Sequence, residues 1–225
     1  MDAVFYAKLK DLASKHRYCI DFMVDNSSAN DFYGGALASG TKAVSTSSAL
    51  HPGVRLFTSS TSANSGYYCR TDQTALLLGG REKATLIFFT PPGFTNNTVR
   101  FGFHDSITEA APTDGVYCLM AANVLTGQTM NNTTGSTTGT SYTLAAGTWY
   151  RIVVKLNADA SLATFTLYAD NSNTVLWTDT LATNIPTGAG RFVGFGLIGT
   201  NSGTTAVPIV SVDYMDMSLP SARRV

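Results

Sequence analysis

Acid–base chemistry on a sugar needs carboxylates that face one another, and this chain has few candidates. Its only glutamates are Glu82 and Glu109, both at loop or strand-edge positions. Asp213 and Asp216 stand three apart in the last predicted strand, a spacing that turns them to opposite faces. Glycoside hydrolysis with a carboxylate pair across the scissile bond is therefore not expected. Nucleophilic catalysis fares no better. The histidines are His16, His51 and His104, and no Gly-x-Ser-x-Gly elbow is present. His104 and Asp105 are neighbours in a strand, so they point apart and form no relay. The plain reading puts His104 on a solvated sheet face and His51, before Pro52-Gly53, at a turn it helps to order. Calcium would need several converging oxygens. Asp159, Asp170, Asn171 and Asn173 are candidates, yet they are also the residues turns use for local hydrogen bonds. Cys19, Cys69 and Cys118 are odd in number and scattered, which supports neither a zinc site nor a disulfide framework. No catalytic residue, metal or cofactor is expected.

Recognition without chemistry remains. Saccharide sites stack a ring on an aromatic face and surround it with polar groups. Trp149, Arg151, Tyr168 and His104 fall on the polar-facing positions of their strands, and are the candidate glycan-binding set on one sheet surface. The competing reading has Trp149 packed under a loop or at a subunit contact, since an aromatic among polar side chains is also an interface signature.

These residues must be positioned by strands. Period-two alternation recurs over 18–24, 54–59, 66–71, 75–78, 83–90, 98–105 and 115–121, and again over 141–144, 149–157, 162–170, 174–180, 191–199 and 207–219. Turn signals such as Asp170-Asn-Ser-Asn and Asn184-Ile-Pro separate them. Residues 131–140, rich in Thr, Gly and Asn, read as a loop. Tyr150, Ile152, Val154 and Leu156 point one way from their strand, and Trp149, Arg151, Val153 and Lys155 the other. Phe165 and Leu167 oppose Thr164, Thr166 and Tyr168. Lys83–Thr90 is apolar on both faces, as a central covered strand would be. The pattern predicts an all-β, two-sheet antiparallel sandwich or jelly roll. Residues 1–17, with Val4, Phe5, Leu9, Leu12 and Ala13 near helical spacing, form the one expected helix, an arm ahead of a domain over 18–225.

Composition agrees. The 225 residues carry fifteen basic and fifteen acidic side chains, with 44% hydrophobic residues. That balance supplies one sizeable core and argues against binding to nucleic acid through phosphate neutralisation. No apolar run approaches the length of a membrane span, and no signal-peptide pattern opens the chain.

The runs His51-Pro-Gly-Val-Arg-Leu, Thr98-Val-Arg-Phe-Gly-Phe-His-Asp and Pro112-Thr-Asp-Gly-Val-Tyr resemble a concanavalin A-like (laminin-G/lectin-type) jelly roll found in tailed-phage structural proteins. Gly147-Thr-Trp-Tyr-Arg-Ile-Val-Val-Lys-Leu-Asn-Ala-Asp, Thr183-Asn-Ile-Pro-Thr and Val210-Ser-Val-Asp-Tyr-Met extend the resemblance over about residues 18–219. These are turn and core positions, which specify fold better than function. Glucanases share the architecture, but their Glu-x-Asp-x-x-Glu strand motif is not present. The resemblance implies a non-enzymatic virion surface protein, assembled in the host cytoplasm: a capsid decoration or small tail accessory. Its implied partners are other capsid or tail proteins and further copies of itself; residues 1–17 read either as a cap on the sandwich edge or, from their separate period ahead of the domain, as the arm that docks to the particle. The alternative is a receptor-recognition adhesin that contacts host surface glycans. Neither reading involves nucleic acid or membrane insertion.

Overall fold

The computed structural model describes residues 15–21, 33–44, 50–51 and 54–220. In chain order its strands are β1 (Lys15–Asp21), β2 (Tyr33–Leu37), β3 (Thr41–Val44), β4 (Arg55–Thr58), β5 (Ser65–Arg70), β6 (Leu76–Leu77), β7 (Lys83–Thr90) and β8 (Asn97–His104). They continue as β9 (Gly115–Ala121), β10 (Val124–Asn131), β11 (Thr134–Thr137), β12 (Tyr142–Thr143), β13 (Thr148–Leu156), β14 (Ala163–Ala169), β15 (Val175–Leu181), β16 (Phe192–Asn201) and β17 (Pro208–Pro220). The chain is an all-β, two-sheet antiparallel jelly-roll sandwich. Sheet A runs β15-β14-β13-β7-β17-β4-β3, with β1 also on β17. Sheet B runs β11-β10-β9-β8-β16-β5-β2, with β12 on β10 and β6 on β16.

Burial follows the alternation. Tyr150, Ile152, Val154 and Leu156 of β13 are buried on the inner side, with Phe165 and Leu167 of β14 and Leu86 and Phe88 of β7. Opposite them stand Val99, Phe101 and Phe103 of β8, Val116, Cys118 and Met120 of β9, and Phe195 and Leu197 of β16. Each such large side chain contributes roughly 1.5–3 kcal/mol by leaving water. Size is matched across the gap. Phe165 of sheet A projects onto Gly127 of sheet B, where an added Cβ would lie 2.3 Å from the ring. β7 is central in sheet A, between β13 and β17, which explains its apolar character on both faces.

The last strand has an unusual pairing. On one edge β17 stays against β7, whereas on the other it pairs first with β4 over 208–212 and then with β1 over 214–220. The register with β7 slips between Val212 and Tyr214, leaving Asp213 as an extra, unpaired residue. This is a β-bulge at the changeover between two neighbours. Its signature lies in the sequence: inward apolar residues are Val210 and Val212 before it, then Met215 and Met217 after it, a change of phase.

Two sequence expectations need correction. The segment 131–140 is not simply a loop, because β10 and β11 form a hairpin that covers Asn131 and Thr134–Thr137. Asn132 and Thr133 both have positive φ, as a tight hairpin turn between right-twisted strands requires. The alternation was weak there because the inward positions around Leu125 are Gly127 and Thr129. The helix expected over 1–17 lies outside the described residues up to position 14, and Lys15–Arg17 open strand β1 rather than close a helix.

The Phe165–Gly127 contact makes a stability prediction. Gly127→Ala should cost about 2 kcal/mol in urea unfolding by overpacking, and Phe165→Leu should relieve part of that cost in the double variant. Additive losses would show that the two sheets do not interlock there.

Candidate functional site

The outward face of sheet A carries most of the expected site. On β13, Trp149 lies opposite Phe89 of β7, and Arg151 lies between Ile87 of β7 and Tyr168 of β14. The Arg151 guanidinium carbon sits 3.9 Å from the centre of the Tyr168 ring, a close cation–π contact. Its Nη2 donates to the Ser172 carbonyl at 2.9 Å and to Asn173 Oδ1 at 3.3 Å. Arg151 is thereby fixed to the β14–β15 turn. In that turn the Thr174 N–H donates to Ser172 Oγ at 3.0 Å, and Asn171 takes a positive φ of 47°. Ile87, Arg151, Asp170, Asn171, Ser172 and Asn173 line an open recess of about 300 Å³.

Beside the recess, His51 lies flat on Trp149, with ring centres 3.7 Å apart and planes within 13°. His51 Nδ1 is 2.8 Å from Asp213 Oδ2, and Nε2 is 3.0 Å from Asp170 Oδ2. A carboxylate can only accept, so both contacts are hydrogen bonds when both ring nitrogens carry protons. The imidazole is thus held between two carboxylates above an indole. Asp213 reaches it because of the bulge. Val212 points inward and Tyr214 is outward beside Ile87, so the inserted Asp213 joins Tyr214 and Asp216 on the outer side. The Tyr214 hydroxyl donates to Asp216 Oδ2 at 3.1 Å. Asp213 and Asp216 therefore share a face, contrary to the expectation from their spacing, because one unpaired residue resets the alternation.

Other expectations change as well. His51 is not simply a turn residue but the buried bridge of this cluster, tying the β14–β15 turn to strand β17. His104 does not share the surface with Trp149, Arg151 and Tyr168. It lies on β8 in sheet B and is 1% exposed, so it is neither a glycan contact on that face nor a solvated side chain. Its place beside Gly194 and Gly115 on an outward but covered face was invisible to the alternation, which tells inward from outward and not outward from exposed. Trp149 is half-buried, and His51 covers one face of its indole. The polar groups of Asp170–Asn173, weighed above as calcium ligands or turn formers, are what faces solvent around Arg151. Asp159 binds its own turn, accepting from Ser161 N and Oγ.

Glu82 is also structural. Its buried carboxylate accepts the Gly79 and Gly80 N–H groups, both at 2.8 Å. Asp170 and Asp213 are engaged by the same imidazole, which leaves no opposed acid and nucleophile there. Among the described residues no cluster of metal-ligating side chains occurs.

Fold and face together define a concanavalin A-like jelly roll, an architecture shared by lectins and carbohydrate-binding modules. The profile of the family described as SO2946-like, C-terminal domain, matches residues 50–213, and the chain belongs to that family. The crystal structure of SO2946 from Shewanella oneidensis MR-1, a protein of unknown function, superimposes with a TM-score of 0.79 at 22% identity, covering 100% of this chain and 97% of that one. Peanut lectin aligns with a TM-score of 0.61 at 10% identity, over 91% of this chain and 97% of its own. The CBM2 module of the evolved Dit of Lactobacillus casei BL23 phage J-1 aligns with a TM-score of 0.59 at 10% identity, over 94% and 99%. No curated protein matches the chain in sequence. No helix among the described residues is long and apolar enough to cross a membrane.

Two outcomes follow. His51→Ala leaves two carboxylates without their shared partner, so urea unfolding should register a loss of about 3 kcal/mol, with Trp149 emission shifted to the red. An unchanged midpoint and spectrum would show that the cluster is inert. Burial, with Arg100 and then Arg70 nearby, pulls the His104 pKa down to about 3 from 6.5, and the backbone of Ser106 and Gly196 offsets little of this. Between those values the unfolded chain takes a proton that the folded one refuses, so stability falls as pH falls. The loss should reach about 2 kcal/mol at pH 5, and His104→Leu should flatten that slope. Equal slopes in both proteins would contradict the assignment.

Proposed function

We propose that this domain is a non-enzymatic carbohydrate-binding module that holds a short saccharide in the recess at the β14–β15 turn. The observation that carries this reading is the convergence of Arg151, Asp170, Asn171 and Asn173 around about 300 Å³ of open space beside Ile87. Small-ligand sites pair a few fixed polar groups with an apolar patch, and a sugar presents the complement, hydroxyls around a ring with apolar C–H faces. Arg151 is immobilised by Tyr168 and by the Ser172 carbonyl, so it would meet a ligand with little ordering cost. Asp170 spends Oδ2 on His51 and Asn171, which leaves Oδ1 to accept from a hydroxyl. The shared architecture with a lectin and with a phage carbohydrate-binding module supports this reading at the level of fold.

A second reading concerns where the module works. The sequence resemblance to tailed-phage structural domains, together with the similarity to the J-1 Dit module, favours a virion surface component that acts as a repeated copy on a capsid or tail. On this reading the glycan is a host surface polysaccharide. Sheet A would face outward from the particle.

Arg151→Ala and Asn173→Ala should each weaken retention in affinity electrophoresis through host polysaccharide by at least about tenfold, roughly 1.4 kcal/mol, with unfolding midpoints little changed. Binding as tight as the unaltered protein's would exclude the recess. Regular occupancy over capsomers in particle images, with no glycan affinity, would replace the binding role by pure decoration.

A further inference from the structure

The outward face of sheet B is unlike that of sheet A. One cross-strand row reads Arg70, Gly196, Gly102, Tyr117, Gln128, from β5 through β16, β8 and β9 to β10. Two glycines at its centre leave bare backbone. Gly102 has φ +141°, and a Cβ on Gly196 would lie 2.2 Å from that of Arg70. Around this floor stand Arg70 at one end, Tyr117 beside Gly102, and Arg100 and His104 two residues either way along β8. Alternation alone would leave such a face solvated. Instead Arg70, His104 and Tyr117 are buried, and Arg100 is half-buried.

The charges on this face are not balanced. Arg70 Nε and Nη1 and Arg100 Nη1 are buried nitrogens with no hydrogen-bond acceptor. Among the described residues, no carboxylate lies within ion-pair distance of either guanidinium. The acidic groups that act on them do so from outside the floor. The Tyr68 ring, 5.7 Å from the Arg70 guanidinium carbon, offers a cation–π contact but no acceptor; Asp72 acts on Arg70 but accepts from Thr74 N and Oγ1, both at 3.0 Å, and Glu109 acts on Arg100 from an exposed loop. Tyr117 cannot neutralise them, because burial pushes its hydroxyl up to about 12 and that hydroxyl donates to Gln128 Oε1 at 2.8 Å. His104 is neutral. Burial also pulls both guanidinium groups below their ordinary range. Buried cations with open N–H groups are unfavourable unless an acceptor meets them.

We propose that this face is a binding site for an oxyanion, a carboxylate, sulfate or phosphate group seated over the Gly102–Gly196 floor between Arg70 and Arg100. Such a group is acceptor-only, carries the missing charge and forms charge-assisted hydrogen bonds with guanidinium. The site lies on the opposite sheet from the recess of Arg151 and does not depend on that recess binding a sugar.

The full chain should be unfolded by heat across sodium sulfate, phosphate and glucuronate, against sodium chloride at matched ionic strength. A saturable rise in midpoint is expected with at least one anion. The three arms separate tetrahedral oxyanions from a carboxylate. Arg100→Gln should weaken the apparent Kd at least tenfold, and Arg70→Met should abolish the saturable part. In chloride alone, Arg70→Met should be no less stable than the unaltered protein, because it removes an unpaired buried charge. An identical anion response in the unaltered protein and both variants would be a general salt effect and would overturn the proposal. A lower midpoint for Arg70→Met in chloride would also overturn it, since the guanidinium would then be satisfied within the fold. If Arg70→Met fails to fold, that counts as the same adverse result, and Arg100→Gln still reads the anion response.

Discussion

Packing one sheet against the other decides what every strand has left over for function. Once Phe101, Phe103, Phe165, Phe88 and Phe195 are committed to the gap between the sheets, the alternating residues are committed to the outside. The two outsides then diverge. On sheet A the outward residues form a ladder of stacked and paired groups around an open recess. On sheet B they form a basic ring around two glycines, withdrawn from water. The same inward requirement produces both, and only local geometry separates them.

On sheet A that local geometry is one inserted residue. Asp213 belongs to neither ladder of β17, so its carboxylate swings out to His51. His51 in turn holds Asp170, the first residue of the turn that fixes Arg151. Without the bulge, position 213 would keep a ladder place, and the outward sequence of β17 would fall out of phase with Met215 and Met217. A small irregularity thus couples His51 to the β14–β15 turn and to strand β17, whose contacting residues lie 119 and 162 positions further along the chain.

The fold was largely legible from residue pattern. The faces of β13, β14, β8 and β16 follow directly from alternating apolar positions, and the central place of β7 from its two apolar sides. Three of the four candidate glycan residues, Trp149, Arg151 and Tyr168, share one surface as their strand phases imply. His104 does not, because phase assigns a side of a sheet and says nothing about which sheet. His51 was out of reach for a different reason, since its partners are defined only by tertiary closure. The phase break in β17 was readable, in principle, from Val210 and Val212 giving way to Met215 and Met217. The β10–β11 hairpin was missed because Gly127 and Thr129 hold inward positions that larger residues usually mark, Gly127 making room for Phe165.

The placement of β17 also governs the order in which the molecule can be assembled. It is the last strand among the described residues, yet it lies inside sheet A, between β7 and the β4 and β1 edges. Until its residues have left the ribosome, β7 has an open flank, and β1 and the β3–β4 pair have nothing to link them to it. Sheet A therefore closes only after synthesis has passed residue 220, through pairings of high contact order that form slowly. During that interval the exposed edge of β7 is a template for unwanted strand pairing.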